Sequence, residues 1–170
     1  MPKTVVITGP ESTGKSSLAT WLASDLNAVY VDEMARGYLE SLSRPYDQND
    51  MHRMAALQLE AQLSAIQNTS TLVVCDTDLL TFIIWWEVKF GDCPQEWVEK
   101  WKANLPDAYM LMDIDLPWQE DPLREHPDRR QELKDRYLDK LHQIGTPFRI
   151  ISGDGPERNE RAKKSLEELL

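Results

Sequence analysis

Two glycines, a lysine and a serine near the amino terminus have a spacing that suits the binding of a polyphosphate. The octapeptide Gly9-Pro10-Glu11-Ser12-Thr13-Gly14-Lys15-Ser16 follows an apolar segment and precedes one with helical periodicity. In such a turn the backbone N–H groups point inward and the helix start adds a partial positive charge. The lysine reaches the β- and γ-phosphates, and the following hydroxyl ligates Mg²⁺. The pattern predicts an ATP and Mg²⁺ site lined by Gly9, Glu11, Ser12, Thr13, Gly14, Lys15, Ser16 and Ser17. The alternative is an ordinary strand-to-helix turn with a solvated lysine.

Acidic residues follow three of the other apolar segments. Asp32 and Glu33 come after one, Asp76 and Asp78 after the next, and Asp113 after the third. Ligands of an open parallel sheet bind outside the carboxyl ends of its strands. We therefore expect Asp76 to join Ser16 in the Mg²⁺ shell, and Asp32 or Glu33 to orient or deprotonate an acceptor hydroxyl. Asp78 is a further candidate for substrate binding. The alternative for each acid is the capping of a helix N-terminus.

Arginines cluster in a proline-containing segment after the fourth apolar segment, which we name the lid segment (about residues 117–136). Its guanidinium groups, those of Arg124, Arg129 and Arg130, could close over the triphosphate, where they would stabilise charge that spreads over the transferred phosphoryl oxygens. Arg124 is the predicted catalytic arginine. The alternative is a solvated charged face. Arg36, one turn after Glu33, is predicted to contact the substrate or to pair with an acid.

Aromatic residues and one glycine-rich turn are weaker candidates. Trp85-Trp86 and the pair Trp97 and Trp101 could cover a flat ring, although stripes at this spacing are commonly core or subunit interface. We predict Trp85 on the substrate side. Asp154, in the turn 152–156, is predicted to lie near the nucleotide.

The elements that must position these residues alternate along the chain. Short segments rich in Val, Ile, Leu or Met predict strands covered on both faces, at Thr4–Thr8, Ala28–Val31, Thr71–Cys75, Ala108–Met112 and Phe148–Ile151. Apolar residues at helical spacing predict helices at Ser16–Leu26, Asn49–Asn68, Asp128–Ile144 and Pro156–Leu170. The alternation predicts a three-layer α/β/α fold with a five-stranded parallel sheet. No linker divides the chain, so we expect one domain over residues 1–170.

Composition excludes several classes of protein. Acidic residues outnumber basic ones by 29 to 19, so the net charge of −10 disfavours binding to nucleic acid or to anionic lipid. No apolar run approaches the length of a membrane span, and the first residues do not form a secretory signal. The two cysteines form no disulfide framework. We expect a cytoplasmic protein.

Four motifs together resemble one known family. They are the phosphate-binding octapeptide, Asp-Glu-Met-Ala-Arg-Gly-Tyr-Leu at 32–39, Asp-Thr-Asp at 76–78, and Asp-Ile-Asp-Leu-Pro-Trp-Gln-Glu-Asp-Pro-Leu-Arg at 113–124. In this order they resemble the ribosylnicotinamide kinase domain of NadR-type proteins of NAD metabolism, over nearly the whole chain. The resemblance implies a nucleoside-kinase-like P-loop fold and transfer of the γ-phosphate of ATP, with Mg²⁺, to the ribose 5′-hydroxyl of nicotinamide riboside.

The resemblance also assigns individual residues. It supports Lys15 and Ser16 on phosphate and metal, Glu33, Arg36 and Asp78 near the riboside, and Arg124 in the lid segment. Asp32 departs from the pattern, since an aromatic residue before the glutamate would suit stacking on nicotinamide. Tyr30, Tyr38, Tyr46 or Trp85 could supply that ring instead.

Other functions stay open at this stage. A P-loop kinase could act on another nucleoside or on a monophosphate, and a nucleotide-binding module could regulate a partner with little turnover. A GTPase is disfavoured because the sequence has no Asn-Lys-x-Asp segment. The residues leave open whether the domain forms a homo-oligomer and whether a separate adenylyltransferase works beside it.

Overall fold

The strands and helices alternate as the apolar patterns predict. The computed structural model describes residues 1–170. Its strands are β1 (Thr4–Thr8), β2 (Val29–Val31), β3 (Val73–Asp76), β4 (Ala108–Met112) and β5 (Phe148–Ile151). Its helices are α1 (Lys15–Asp25), α2 (Met34–Glu40), α3 (Gln48–Gln67), α4 (Leu79–Phe90), α5 (Gln95–Ala103), α6 (Arg130–Ile144) and α7 (Gly155–Leu169).

All five strands are parallel and form one sheet in the order β2-β3-β1-β4-β5. The predicted fold class is thereby confirmed. The register places Ile7 of β1 beside Asp76 of β3 and Thr8 beside Leu111 of β4. The carboxyl ends of the strands therefore meet along one edge, which is where ligands of such sheets bind.

Alternate residues of each strand enter two separate cores. Val5 and Ile7 pack with α1 and α7 on one face of the sheet, while Val6 packs with α3 to α6 on the other. Both faces of the sheet are thus covered by helices, which explains why its strands read as continuous apolar runs. None of the seven helices combines the length and the apolar character needed to cross a lipid bilayer.

The bounds of three helices, α2, α4 and α5, were not predicted. The helix α2 has only seven residues. Most of α4 is buried, so polar positions do not mark its faces. Trp97 and Trp101 of α5 belong to the core with Trp86, which confirms the core interpretation for these three aromatic residues.

A polar network inside this core holds the start of α4. Asp78 is the N-cap of α4 and accepts a hydrogen bond from Leu80 N at 3.1 Å. Its other oxygen accepts from the hydroxyl of Tyr109, which itself accepts from Trp101 Nε1 at 2.8 Å. Both oxygens of Asp78 are thereby bonded, and capping is the role that the structure gives this residue.

The titration of Asp78 should make stability depend on pH. Burial raises the pKa of Asp78 from 3.8 to about 6. Because the pKa is higher in the folded protein than in the unfolded chain, the protonated carboxyl stabilises the fold at pH values below its ordinary pKa. This stabilisation is lost as the pH rises towards 6. Asp78→Asn keeps an acceptor for Leu80 N but does not titrate. We expect the wild-type free energy of unfolding, relative to that of the variant, to fall by roughly 3 kcal/mol between about pH 3.5 and about pH 7.

Urea unfolding followed by tryptophan fluorescence would measure this difference. Asp128→Asn, which makes the same substitution at an exposed position, is the matched control. Parallel curves for the wild type and Asp78→Asn would contradict the prediction.

Candidate functional site

A cavity of 490 Å³ opens at the carboxyl edge of the sheet. The octapeptide after β1 forms one side of it, and the starts of α2, α4 and α7 together with the lid segment form the rest. Two regions can be distinguished. The phosphate loop contributes Gly9 to Ser17, and the residues from the start of α2, from α4 and from α6 include Glu33, Ala35, Leu39, Ile84, Trp85 and Tyr137.

The loop between β1 and α1 has the conformation that its glycines permit. Gly14 is the N-cap of α1 with φ 79°, a left-handed conformation that favours glycine. Gly9 has φ 137°, and a Cβ there would lie 3.1 Å from Met112 O. Lys15 Nζ donates to Pro10 O at 2.8 Å, so the lysine lies back across its own loop. The loop, the helix start and the lysine form the cradle that the spacing predicts.

Ser16 lines the cavity and contacts Asp76, which lies behind it and is not itself part of the lining. Ser16 Oγ donates to Asp76 Oδ2 at 2.5 Å, across the pairing of β1 with β3. Asp76 is fully buried, and its Oδ1 has no hydrogen-bond partner. Burial raises the pKa of Asp76, partly offset by the Ser16 bond and by the charge of Lys15. A buried carboxylate oxygen without a partner, next to a hydroxyl, fits a Mg²⁺ shell of oxygen ligands.

Glu33 belongs to the second of these regions. Although it is the N-cap residue of α2, its side chain makes no capping hydrogen bond. Burial raises the pKa of Glu33, which the nearby charge of Lys15 opposes. Asp32 is exposed, and its Oδ1 accepts from Tyr30 OH and from Glu33 N. Of the two adjacent acids, only Glu33 lines the cavity.

Asp78 and Asp113, two further acids that follow strands, make their contacts outside the cavity. Asp78 is buried under α4 and does not line the cavity, so the predicted contact with substrate has no structural basis here. Asp113 pairs with Lys134 at 2.6 Å and accepts from Ser152 Oγ at 2.9 Å. No helix begins after Asp113, so in place of a cap it forms a link between β4, α6 and the turn after β5.

The lid segment lies over the phosphate loop. Residues 113–129 contain no helix or strand, and the remainder of the segment begins α6. Arg124 lines the cavity and donates to Gln119 O at 2.5 Å. Arg130 lies beside the loop and donates to Ser12 O at 3.1 Å. Arg129 instead forms a bidentate pair with Glu132 on the surface, so it does not reach the predicted position over a triphosphate.

Glu11 connects the phosphate loop to the lid segment. Its carboxylate accepts hydrogen bonds from the backbone N–H groups of Glu125 and His126, at 3.2 Å and 3.1 Å. Ser12 Oγ likewise accepts from Gln119 N at 2.9 Å. The side chains of Glu11 and Ser12, which we predicted to contact nucleotide, therefore hold the lid segment in this structure.

The remaining predicted residues differ in their surroundings. Arg36 lines the cavity and pairs with Asp121 at 3.1 Å. Trp85 lines it too, with its ring centroid 5.4 Å from that of Tyr46. Asp154 lines it while capping α7 through Gly155 N.

The lining residues that were not predicted include Thr81, His126, Tyr137 and Arg158. Tyr137 OH donates to Thr81 Oγ1 at 3.1 Å, and Arg158 lies against Gly14. Arg158 occupies the first turn of α7, directly after the carboxyl end of β5. That position was the one feature of the sequence from which Arg158 could have been predicted, because first-turn residues after parallel strands lie at the ligand-binding edge.

Comparison with known proteins shows the family. Residues 4–158 match the model of a family described as AAA domain. The chain belongs to this family. A partial relative of this AAA domain is the cytidylate kinase of Solibacter usitatus (strain Ellin6076), which is 41% identical over 71 residues. That match covers 40% of the chain and 31% of the cytidylate kinase.

Solved structures agree with the fold of this AAA domain. A crystal structure of NadR protein in complex with NR superposes with a TM-score of 0.80 at 21% identity, covering 99% of the chain and 50% of NadR. Deoxyadenosine kinase from M. mycoides superposes with a TM-score of 0.72 at 15% identity, covering 97% and 99%. At these identities the likeness establishes a kinase-type P-loop fold. The chain spans about half the length of the NadR structure.

The contact between Ser16 and Asp76 generates a prediction about metal. Asp76→Asn removes the buried charge, so the Mg²⁺ concentration needed for half-maximal nucleotide binding should rise about tenfold or more. Thermal shift with ATP at varied Mg²⁺ would measure it. Asp113→Asn, which also follows a strand but contacts Lys134 and Ser152 instead of Ser16, is the matched control. An unchanged Mg²⁺ requirement in Asp76→Asn would assign Asp76 a purely structural role.

Proposed function

We propose that this protein transfers the γ-phosphoryl group of ATP to the ribose 5′-hydroxyl of nicotinamide riboside. The observation that carries the proposal is the position of Glu33. Its carboxylate lines the same cavity as the phosphate loop and caps no helix. A base that shares one cavity with a phosphate cradle is the arrangement that phosphoryl transfer to a hydroxyl requires.

The region of the cavity that contains Glu33, which we call the acceptor side, has a charge that favours an acceptor without a phosphate. Ala35, Leu39, Ile84 and Trp85 supply much of its surface. Arg36 is the one arginine there, and Asp121 already neutralises it. A nucleoside monophosphate would bring a dianion next to the Glu33 carboxylate, where the one arginine of this region is already paired with an acid. An unphosphorylated nucleoside avoids that cost.

The ring of the acceptor is suited to the aromatic end of the cavity. Trp85 faces the cavity and is supported from behind by Phe82 and Tyr46, with ring centroids at 6.2 Å and 5.4 Å. A pyridinium ring carries a positive charge, which gains both from an aromatic face and from a protein of net charge −10. This complementarity and the resemblance to NadR-type kinases support nicotinamide riboside over a neutral nucleoside.

Each residue of the site then has a defined task. Lys15 turns from Pro10 O to the transferred phosphoryl group, and Glu33 accepts the proton of the attacking hydroxyl. Arg124 turns from Gln119 O to the phosphoryl oxygens, while the lid segment excludes water. Ser16 and Asp76 would hold Mg²⁺, which supplies charge neutralisation at the phosphates.

Measurement of ADP release with Mg-ATP and a panel of acceptors tests the proposal. The panel contains nicotinamide riboside, adenosine, cytidine, their 5′-monophosphates, and no acceptor. Strong stimulation by nicotinamide riboside is the expected result. Stimulation by a monophosphate alone would instead indicate a nucleotide kinase. ATP binding without stimulation by any acceptor would indicate a regulatory module.

Replacement of Glu33 should affect catalysis more than binding. Glu33→Gln keeps the shape of the side chain but cannot accept a proton, so kcat should fall about 100-fold or more. The wild-type rate should fall at low pH as Glu33 is protonated, and the variant should lack this decline. Because burial raises the pKa of Glu33, the decline should lie above the ordinary range of a glutamate.

Comparison with the neighbouring acid makes this test specific. Asp32→Asn changes an exposed carboxylate outside the cavity, and its effect on kcat should be less than about threefold. If Asp32→Asn lost activity while Glu33→Gln kept it, the roles of the two acids would be reversed. Steady-state kinetics of both variants over the same pH range would decide.

A further inference from the structure

Arg158 is a buried arginine without a countercharge. The residue is 2% exposed and has one of the largest fully buried side chains of the protein. Its Nε and Nη2 donate to Asn159 Oδ1 at 3.3 Å and 3.1 Å, and that neutral oxygen is the one acceptor that it reaches. By contrast, the partly exposed arginines Arg129 and Arg136 both pair with Glu132.

Such a position is costly in the free protein. Removing a guanidinium from water is unfavourable unless an opposite charge and hydrogen bonds replace the solvent. The chain has 29 acidic side chains, yet none forms a salt bridge with this arginine. The missing negative charge must therefore come from outside the chain.

The geometry shows where that charge would lie. Arg158 Nη1 is 2.5 Å from the position that a Cβ at Gly14 would occupy, and the side chain lines the cavity with Gly14 and Ser16. Gly14 caps the N-terminus of α1, where the helix dipole is positive. A guanidinium and a helix N-terminus that face one cavity repel each other unless an anion lies between them.

We propose that Arg158 binds the phosphate chain of the nucleotide, as a second cation that reaches the cradle from the last helix. This proposal rests on the proposed function, since it requires a nucleoside polyphosphate in the cradle. It also gives Gly14 a second reason to be glycine, because any side chain there would occupy the space of the arginine. Stacking of the guanidinium face on the base is the competing arrangement. The free Nη1 donor and the missing countercharge favour the phosphates over the base.

Arg158→Met is the decisive variant, because methionine keeps an unbranched apolar stem and removes the charge. Calorimetry would measure binding of ATP, inorganic tripolyphosphate and adenosine, and thermal unfolding would be followed with and without ATP. Arg149→Met is the matched control, since Arg149 is exposed on β5 and donates to Phe148 O. Arg158→Lys keeps a charge and provides a second variant should the methionine variant fold poorly.

The expected result has two parts. ATP and tripolyphosphate should bind about 10- to 100-fold more weakly to Arg158→Met, while adenosine binding and Arg149→Met should stay unchanged. Without ligand, Arg158→Met should melt at or above the wild-type temperature, because an unpaired buried charge has been removed. Arg158→Lys should lie between the two proteins in ATP affinity.

Three results would overturn the proposal. Equal losses for adenosine and ATP would assign the arginine to the base. Unchanged ATP affinity with a lower melting temperature would assign it a structural role. Full loss of ATP affinity in Arg149→Met would show that the effect is not specific to this site. If the wild type bound no nucleotide, the proposed function itself would fail, which is a separate outcome.

Discussion

The parallel arrangement of five strands is the constraint on which the site depends. Because every strand runs in the same direction, the turn after β1 and the acids after β2 and β3 must meet along one edge. The registers of β1 with β3 and with β4 then set the fine positions. Asp76 lies beside Ile7, so its carboxylate reaches Ser16, and Met112 packs against Gly9. No single element contains a site, and the sheet assembles one from several loops.

The positively charged side chains around the phosphate loop are hydrogen-bonded to neutral oxygens. Lys15 is bonded to Pro10 O, Arg124 to Gln119 O, and Arg130 to Ser12 O. A carbonyl group screens a positive charge much less than a carboxylate does, so these side chains retain their attraction for an anion. Away from the cradle the pattern changes, because Arg36 and Arg129 are paired with acids. The protein thus keeps a local positive region within an overall charge of −10.

Contacts between the phosphate loop and the lid segment connect phosphate binding by the loop with movement of the lid segment. Glu11 and Ser12, at the variable positions of the loop, accept hydrogen bonds from the backbone of the lid segment. Arg130 returns a bond to the loop at Ser12 O. Any movement of the loop on binding phosphate would therefore be transmitted directly to the residues that carry Arg124. The variable residues of the octapeptide have a definite role, although a carboxylate there is unsuited to touching phosphate itself.

Periodicity was sufficient to predict the fold, and motif spacing was sufficient to predict that Ser16 and Asp76 lie together. All five strands were predicted to within two residues at each end, because continuous Val- and Ile-rich runs leave little choice in a sheet covered on both faces. The contact between Ser16 and Asp76 follows from position alone, since a strand end and a helix start define where such side chains must lie, and their binding of Mg²⁺ stays a prediction. The bounds of α4 could not be predicted, because burial around most of that helix removes the polar stripe that periodicity needs.

Only the tertiary structure decided between adjacent or similar side chains. Asp32 and Glu33 are equivalent in the sequence, but α2 begins so that one faces solvent and the other faces the cavity. Asp76 and Asp78 share one motif, yet packing against Tyr109 makes the second a cap in the core. Arg129 and Arg158 are the same type of residue in the sequence, but Arg129 pairs with Glu132, whereas Arg158 pairs with no acid. The sequence determined which kinds of group lie at the edge of the sheet, whereas their partners, and hence their free charge, depend on contacts between residues far apart in the chain.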